Sequence, residues 1–268
     1  MLVPNTADIQ GIYRHRELAN IHTNTGVKIN LIVNNSALNA KLLSYWRLDE
    51  ISGTRSDSKA SNHLANRNNP DIGTGVIKGG VSLVGSNTQN LNISDASQTG
   101  LDPLTSNFSQ SCWVKVNNLA SSRMIFAKGA SSDNATDAPG YRAFVGTNGG
   151  IYCSICDNAN STRVTGNTTS GQIVVGNWYF LTFVWIRASN LLIYKNGVQI
   201  QSIAINTRSG TIDVAAPFAI GSATFNSAPT SYSTYFDGII DEFGWWSNDL
   251  TQSDIDYLYN HGYGSTYS

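Results

Sequence analysis

Three acidic residues, Asp237, Asp241 and Glu242, crowd the segment YFDGIIDEFGWWSNDLTQ, Tyr235 to Gln252. Carboxylates so close together in an apolar run serve as a catalytic pair, as metal ligands or as structural anchors. Retaining glycoside hydrolysis needs two carboxyl groups about 5–5.5 Å apart across an open cleft. Neighbours on a strand project to opposite faces, so Asp241 and Glu242 are expected not to act on one sugar, and the chain reads as non-enzymatic. Calcium is the one cofactor the residue types admit, because Asp49, Asp57 and Asp241 are hard oxygen donors of the kind it collects in sets of about six to eight. No contiguous calcium loop of the D-x-D-x-D-G type is present. Without a metal, a buried Asp241 must cap backbone N–H groups or pair with Arg47 or Arg55, since a carboxylate removed from water needs partners.

Other reactive types are sparse. The four histidines, His15, His22, His63 and His261, lie outside the strand-like runs, and no Gly-x-Ser-x-Gly elbow occurs. Cys153 and Cys156 form a C-x-x-C within IYCSICDN. This stretch reads as a strand, so its two thiols face opposite ways, and a second ligand pair for zinc is missing. With Cys112, the set is three reduced cysteines and no disulfide framework. Aromatic rings are plentiful, with six Trp and twelve Tyr, and an exposed ring can stack on a sugar. Trp113 alternates with Ser109, Ser111 and Lys115 and is the strand ring expected to be exposed. Tyr141 and Tyr232 are expected in loops, and the adjacent Trp245 and Trp246 must face away from each other, giving Trp113, Tyr141, Tyr232 and Trp245 as candidate ligand-binding residues.

The elements that would position these groups are strands. Charged residues are 13% of the chain, about half the usual quarter, and Asn, Ser, Thr and Gly fill the difference. A net charge of −1 offers no bulk attraction to nucleic acid or to acidic membranes. No stretch approaches the apolar length of a membrane span, and the N-terminus lacks the basic and apolar regions of a secretory signal. From Leu42 on, short β-rich runs alternate with turn residues: LLSYWRL, VSLVG, NLNIS, NFSQSCWVKV, RMIFAKG, YRAFVG, NWYFLTFVWI, LLIYKNGVQI, PFAIGS and YFDGIIDEFGWW. That pattern predicts an all-β sandwich or barrel. In NWYFLTFVWI, Asn177 to Ile186, both alternating faces are apolar, as in a central strand. Asn196-Gly197 supplies the two positive-φ residues of a type I′ hairpin. One helix is predicted, Leu250 to Gly262, with Thr251 as N-cap, Asp254 in the first turn, Ile255, Leu258 and Tyr259 on one face, and Gly262 closing it. Sequons at Asn92, Asn107, Asn134, Asn160 and Asn167 read as chance in an Asn-, Ser- and Thr-rich chain.

The order of YWRLDEISGTRSDSKASNHLAN, NFSQSCWVKV, GNWYFLTFVW, LLIYKNGVQI, PFAIGS and FDGIIDEFGWWSNDLTQSDIDYLYNHG resembles that of LamG-like jelly-roll domains of the concanavalin A-like lectin/glucanase superfamily, over roughly residues 44–263. The resemblance implies two stacked antiparallel sheets, a binding role and, in some members, calcium. A jelly roll brings its first and last strands close, which would carry Asp49 or Asp57 toward Asp241. The chain departs from the family in DSKASNH, Asp57 to His63, and in Gln110, where an apolar residue is usual. It also lacks the Glu-x-Asp-x-x-Glu run of the glucanase branch.

The expected architecture is therefore an N-terminal docking segment, residues 1–43, and a jelly roll, residues 44–268, with one short C-terminal helix. A LamG-like domain without a visible secretion signal fits a bacteriophage virion protein, a capsid decoration or tail appendage assembled in the host cytoplasm. Its partners would be other virion proteins through residues 1–43, a surface glycan and further copies of itself. The alternative is a carbohydrate-binding module of a secreted or cell-surface protein, with a glycoside hydrolase third.

Overall fold

The computed structural model describes residues 21–22, 28–29, 36–129, 139–160, 162–225 and 230–266. The chain divides into two units, Met1–Ala40 and Lys41–Ser268. In the first, β1 (Ile21–His22) pairs antiparallel with β2 (Lys28–Ile29); most of the expected docking segment lies outside the described residues. A short helix not foreseen from the sequence, α1 (Ser36–Lys41), leads into β3 (Leu42–Trp46), two residues before the expected domain start.

The second unit is a sandwich of two large antiparallel sheets. One has the order β12-β11-β10-β9-β16-β7-β4. Its strands are β4 (Ala65–Arg67), β7 (Asn90–Ile93), β9 (Arg123–Gly129), β10 (Gly140–Val145), β11 (Ile151–Cys156), β12 (Val164–Asn167) and β16 (Phe218–Ile220). The other has the order β15-β14-β13-β8-β19-β6-β5, with β3 also paired to β19. Its members are β5 (Asp71–Thr74), β6 (Gly79–Leu83), β8 (Phe108–Val116), β13 (Trp178–Trp185), β14 (Asn190–Lys195), β15 (Val198–Ala204) and β19 (Gly238–Trp246). A small hairpin of β17 (Ala223–Thr224) and β18 (Tyr232–Ser233) completes the strands.

Every run read as a strand is one. β13 lies between β14 and β8 with both faces covered, as its two apolar faces require. The β14–β15 turn carries Asn196 at φ 52° and Gly197 at φ 80°, the pair of positive angles that a type I′ turn demands. The strands missed by pattern reading, β1, β2, β4, β5, β12, β17 and β18, have two to four residues each. Alternation cannot be detected over so few positions.

Alternate residues of the two sheets meet in one core. Trp46 stacks on Phe218 (5.7 Å between ring centroids), and Phe108 lies between Trp185 (5.3 Å) and Trp245 (5.7 Å). The polar intruder Gln110 has a structural reason: its Oε1 accepts from Trp185 Nε1 at 2.7 Å. A buried indole N–H needs an acceptor that an apolar side chain cannot supply. Cys153 joins the core while Cys156 turns its Sγ to loop carbonyls of Asn160 and Thr162, so the C-x-x-C faces two ways. All three cysteines are buried and free.

The C-terminal helix, α2 (Gln252–Tyr259), begins at Thr251 with a full capping box to Asp254. It ends earlier than expected, because Asn260 takes the left-handed conformation at φ 45° and closes it, and a 3₁₀ turn then reaches Gly262. Ile255 and Leu258 are its buried residues. Among the described residues no helix is long and apolar enough to cross a membrane.

Candidate functional site

Three of the four aromatic candidates are core residues. Trp113 is 3% exposed: the apparently polar face of β8 is roofed by α2 and its tail. There Trp113 packs on Phe180 and Tyr259, and Ser109 Oγ donates to Asn248 O and accepts from Leu250 N. Alternation with serines marks a face away from the core, but a covering helix makes that face dry. Tyr141 is in β10, not in a loop, and is fully buried; its hydroxyl donates to Leu101 O at 2.8 Å and accepts from Trp245 Nε1 at 3.2 Å. Trp245, 1% exposed, is thereby part of the same internal network. Buried rings offer no face to a sugar. Tyr232 alone of the four is partly exposed; it lies in β18 with the Arg67 guanidinium 4.8 Å above its ring.

The three carboxylates proposed for calcium do not converge. Asp57 satisfies its own loop: Oδ1 accepts from Tyr45 N and Lys59 N, and Oδ2 from Asn62 N. Asp49 and Asp241 meet instead at the turn between β5 and β6. Asp49 Oδ1 accepts from Gly79 N at 3.0 Å, and Asp241 Oδ2 accepts from Val76 N at 2.7 Å and Ile77 N at 3.0 Å. Asp241 thus caps backbone N–H groups and, among the described residues, pairs with no arginine. Among the described residues no three His, Cys, Asp or Glu side chains form a metal-ligating group.

Strict alternation fails at Asp241-Glu242. The pairing of β19 with β8 slips between Asp241 and Gly244, and Glu242 sits at φ 52°, a bulge of the kind that places two residues against one. Ile240 and Phe243 both enter the core, leaving the two acids between them. Burial pushes the Asp241 carboxyl up to about 7, against the pull of its backbone donors and with a smaller push from Asp49. Burial alone pushes Glu242 up to about 8, and neither of its oxygens has a hydrogen-bond partner among the described residues. These are fully enclosed side chains, 0% and 1% exposed, and not a pair facing a cleft.

A concavity of about 760 Å³ lies at one end of the sandwich, where three connections meet. Gly85 and Ser86 follow β6, Asn118 to Arg123 link β8 to β9, and Thr234 to Asp237 lead into β19. The connections are tied together by Asn117 N donating to Asp237 O and Met124 N to Thr234 O. Arg123, 7% exposed, is held by Asn118 O through Nε, by Tyr235 O through Nη1 and by Asn118 Oδ1 through Nη2. A guanidinium has five N–H donors, so two are left without a partner among the described residues. Asp237, half-buried, contributes the one carboxylate of the lining. A β-carbon added at Gly85 would meet Arg123 Nη1 at 3.1 Å and Asp237 Cβ at 3.5 Å, so glycine keeps the floor open.

A polar scaffold fixes this end. Gln89 Oε1 accepts from Val84 N while its Nε2 donates to Asn68 O and Asn69 O, and Asn68 Nδ2 donates to Asn87 O and Thr88 Oγ1. These bonds hold the β4–β5 turn against the β6–β7 loop and set Arg67 over Tyr232. The Tyr235 hydroxyl donates to Tyr232 O at 2.9 Å, joining that ring to the cleft wall. Arg123, Asn118, Tyr235 and Asp237 were not singled out as a binding set from the sequence. Each is ordinary by type, and only loop closure gathers them.

The fold is shared with solved binding domains. The chain superposes on the binding domain of Paraclostridial mosquitocidal protein 1 with a TM-score of 0.66 and 15% identity, over 83% of this chain and 52% of that one. The botulinum neurotoxin serotype D ligand binding domain, solved with N-acetylneuraminic acid, gives 0.59 and 14%, over 84% and 52%. Domain 4 of AbnA, a GH43 extracellular arabinanase from Geobacillus stearothermophilus, solved with arabinotriose, gives 0.57 and 18%, over 84% and 98%. The chain therefore matches about half the length of the toxin domains and nearly all of the arabinanase domain. No curated protein matches it in sequence. A family model does match, over residues 85–256, and the chain belongs to that family, the laminin G type 3 domains of the concanavalin A-like lectin/glucanases superfamily.

Proposed function

We propose that this protein is a non-enzymatic, lectin-type module that binds a surface glycan in the cleft at the end of its sandwich. The observation that carries the reading is the lining itself: a rigidly held Arg123 with donors to spare beside the half-buried Asp237 carboxylate, set among serine, asparagine and tyrosine. Paired donors and acceptors in a concave site are what sugar hydroxyls require. A single carboxylate in the lining lacks the second group of a glycosidase. Family membership and the likeness to domains solved with N-acetylneuraminic acid and arabinotriose support the same reading.

Glycan-array screening followed by titration tests it. Asp237→Ala is expected to weaken binding about tenfold or more, since a hydrogen bond to a charged group contributes about 1.5–3 kcal/mol. Gly85→Leu, which fills the floor and crowds Arg123 Nη1, should do the same. Failure to bind any glycan, or unchanged binding by both variants, would sink the proposal.

A second proposal concerns attachment. Met1–Ala40 forms a unit of its own, which supports a role for residues 1–43 in docking the jelly roll onto other virion proteins of a bacteriophage, as a homo-oligomer. Particles that incorporate the chain equally well without residues 1–43 would exclude it, and light scattering of the purified protein tests the oligomer.

A further inference from the structure

The outer face of the seven-stranded sheet carries a second arrangement suited to sugars, apart from the cleft. Phe144 of β10 and Tyr152 of β11 are register partners, with ring centroids 5.0 Å apart and planes 12° from parallel. Both rings are half-buried. Phe144 is anchored from beneath by Met124, Ala127 and Ala223. Tyr152 lies close over Gly146, where a β-carbon would collide with its ring, and its hydroxyl accepts from Asn148 Nδ2 at 3.2 Å. The pair is therefore a fixed plate and not two mobile surface rings.

Its surroundings are polar and uncharged on the Tyr152 side. Phe144 covers one face of Tyr152, and Arg142 lies over Phe144 at 5.6 Å. The strand on the other side, β12, is the last of the sheet and carries the exposed Thr165 and Asn167, with Asn167 directly opposite Tyr152. Ser154 Oγ and Thr165 Oγ1 are 2.9 Å apart in the next row, and Asn148 and Ser170 border the plate at the loop end. An aromatic face rimmed by amides and hydroxyls matches the apolar C–H face and equatorial hydroxyls of a pyranose.

We propose that Tyr152, backed by Phe144, is a stacking site for a sugar ring of a neutral polysaccharide, separate from the Arg123–Asp237 cleft. Sequence reading overlooked both residues because Phe144 and Tyr152 alternate with core residues of β10 and β11 like any strand aromatic.

The full chain would be titrated calorimetrically with soluble arabinan, xylan and mixed-linkage β-glucan, alongside Tyr152→Ala, Tyr152→Phe and Asp237→Ala. Binding of at least one polymer is expected, weakened about tenfold by Tyr152→Ala, retained by Tyr152→Phe, which keeps the ring, and retained in part by Asp237→Ala. Should Tyr152→Ala fold poorly, nitration of Tyr152 by tetranitromethane in the unmodified chain gives a second readout, and saturating polymer is expected to slow it. The proposal is overturned if no polymer binds, if Tyr152→Ala binds as the unmodified chain does, or if polymer leaves the nitration rate unchanged. Loss of binding confined to Asp237→Ala would overturn this site while leaving the cleft standing. Loss confined to Tyr152→Ala would do the reverse.

Discussion

Glu242 is enclosed, unpartnered and held in the left-handed region, and its neighbour Asp241 is enclosed with one oxygen occupied. Their carboxyls titrate near 8 and 7 in the folded chain, against about 4 when unfolded. The folded state therefore holds protons that the unfolded state releases. The stabilisation is fully present below the unfolded values and is lost as pH rises through 7 and 8. Melting temperature is expected to fall from pH 5 to pH 9, and Glu242→Gln, which keeps the shape without the charge, should flatten that slope. A calorimetric series at constant ionic strength checks both. Tyr141 makes the opposite kind of case, a polar group fully satisfied inside the core. Removing its hydroxyl with Tyr141→Phe strands Trp245 Nε1 and Leu101 O, at a cost of about 1–3 kcal/mol in urea unfolding. Glycan binding should be unchanged, because the ring never meets solvent.

At the scale of elements, turns and caps set the registers on which both sites depend. The turn between β5 and β6 is gripped by Asp241 from the far end of the sequence, through the N–H groups of Val76 and Ile77. Asp241→Ala is expected to destabilise the chain by about 2–4 kcal/mol, while Asp241→Asn, which keeps an acceptor, costs much less; chemical denaturation with an unchanged m-value separates them. The α2 cap is a smaller matter. Thr251→Ala removes the side-chain acceptor of Asp254 N and should cost about 1 kcal/mol. Because α2 roofs Trp113 and Phe180, fraying there would raise Trp fluorescence quenching by added iodide. The long elements and their caps were legible in the sequence: β13 from its two apolar faces, the β14–β15 turn from Asn-Gly, and α2 from Thr251 and Asp254. The bulge at Asp241-Glu242 was not, because its cause is the pairing of β19 with β8, and no local residue pattern encodes that slip.

For the whole molecule, the sandwich is a rigid frame whose connections and one outer face present polar groups. The prediction at this scale concerns the cleft floor: Gly85→Leu should weaken glycan binding and lower the melting temperature modestly, since its β-carbon would meet Arg123 Nη1 at 3.1 Å and Phe236 O at 3.3 Å. The two-sheet jelly roll was implied by the family resemblance; the sequence by itself determined the all-β class, the central strand, the hairpin and the capped helix. Those follow from period-two patterning, turn chemistry and capping, which act between residues a few positions apart. Only the tertiary structure decided which aromatics are wet and which carboxylates meet. Trp113 carries the local signature of an exposed ring and is covered by a helix some 140 residues later in the chain. Asp49 and Asp241 converge on one turn while Asp57 serves its own loop. Burial and convergence are made by contacts between distant segments. The candidate site therefore emerged from the meeting of three connections, to which the acidic segment contributes Tyr235 and Asp237 while Asp241 and Glu242 stay enclosed.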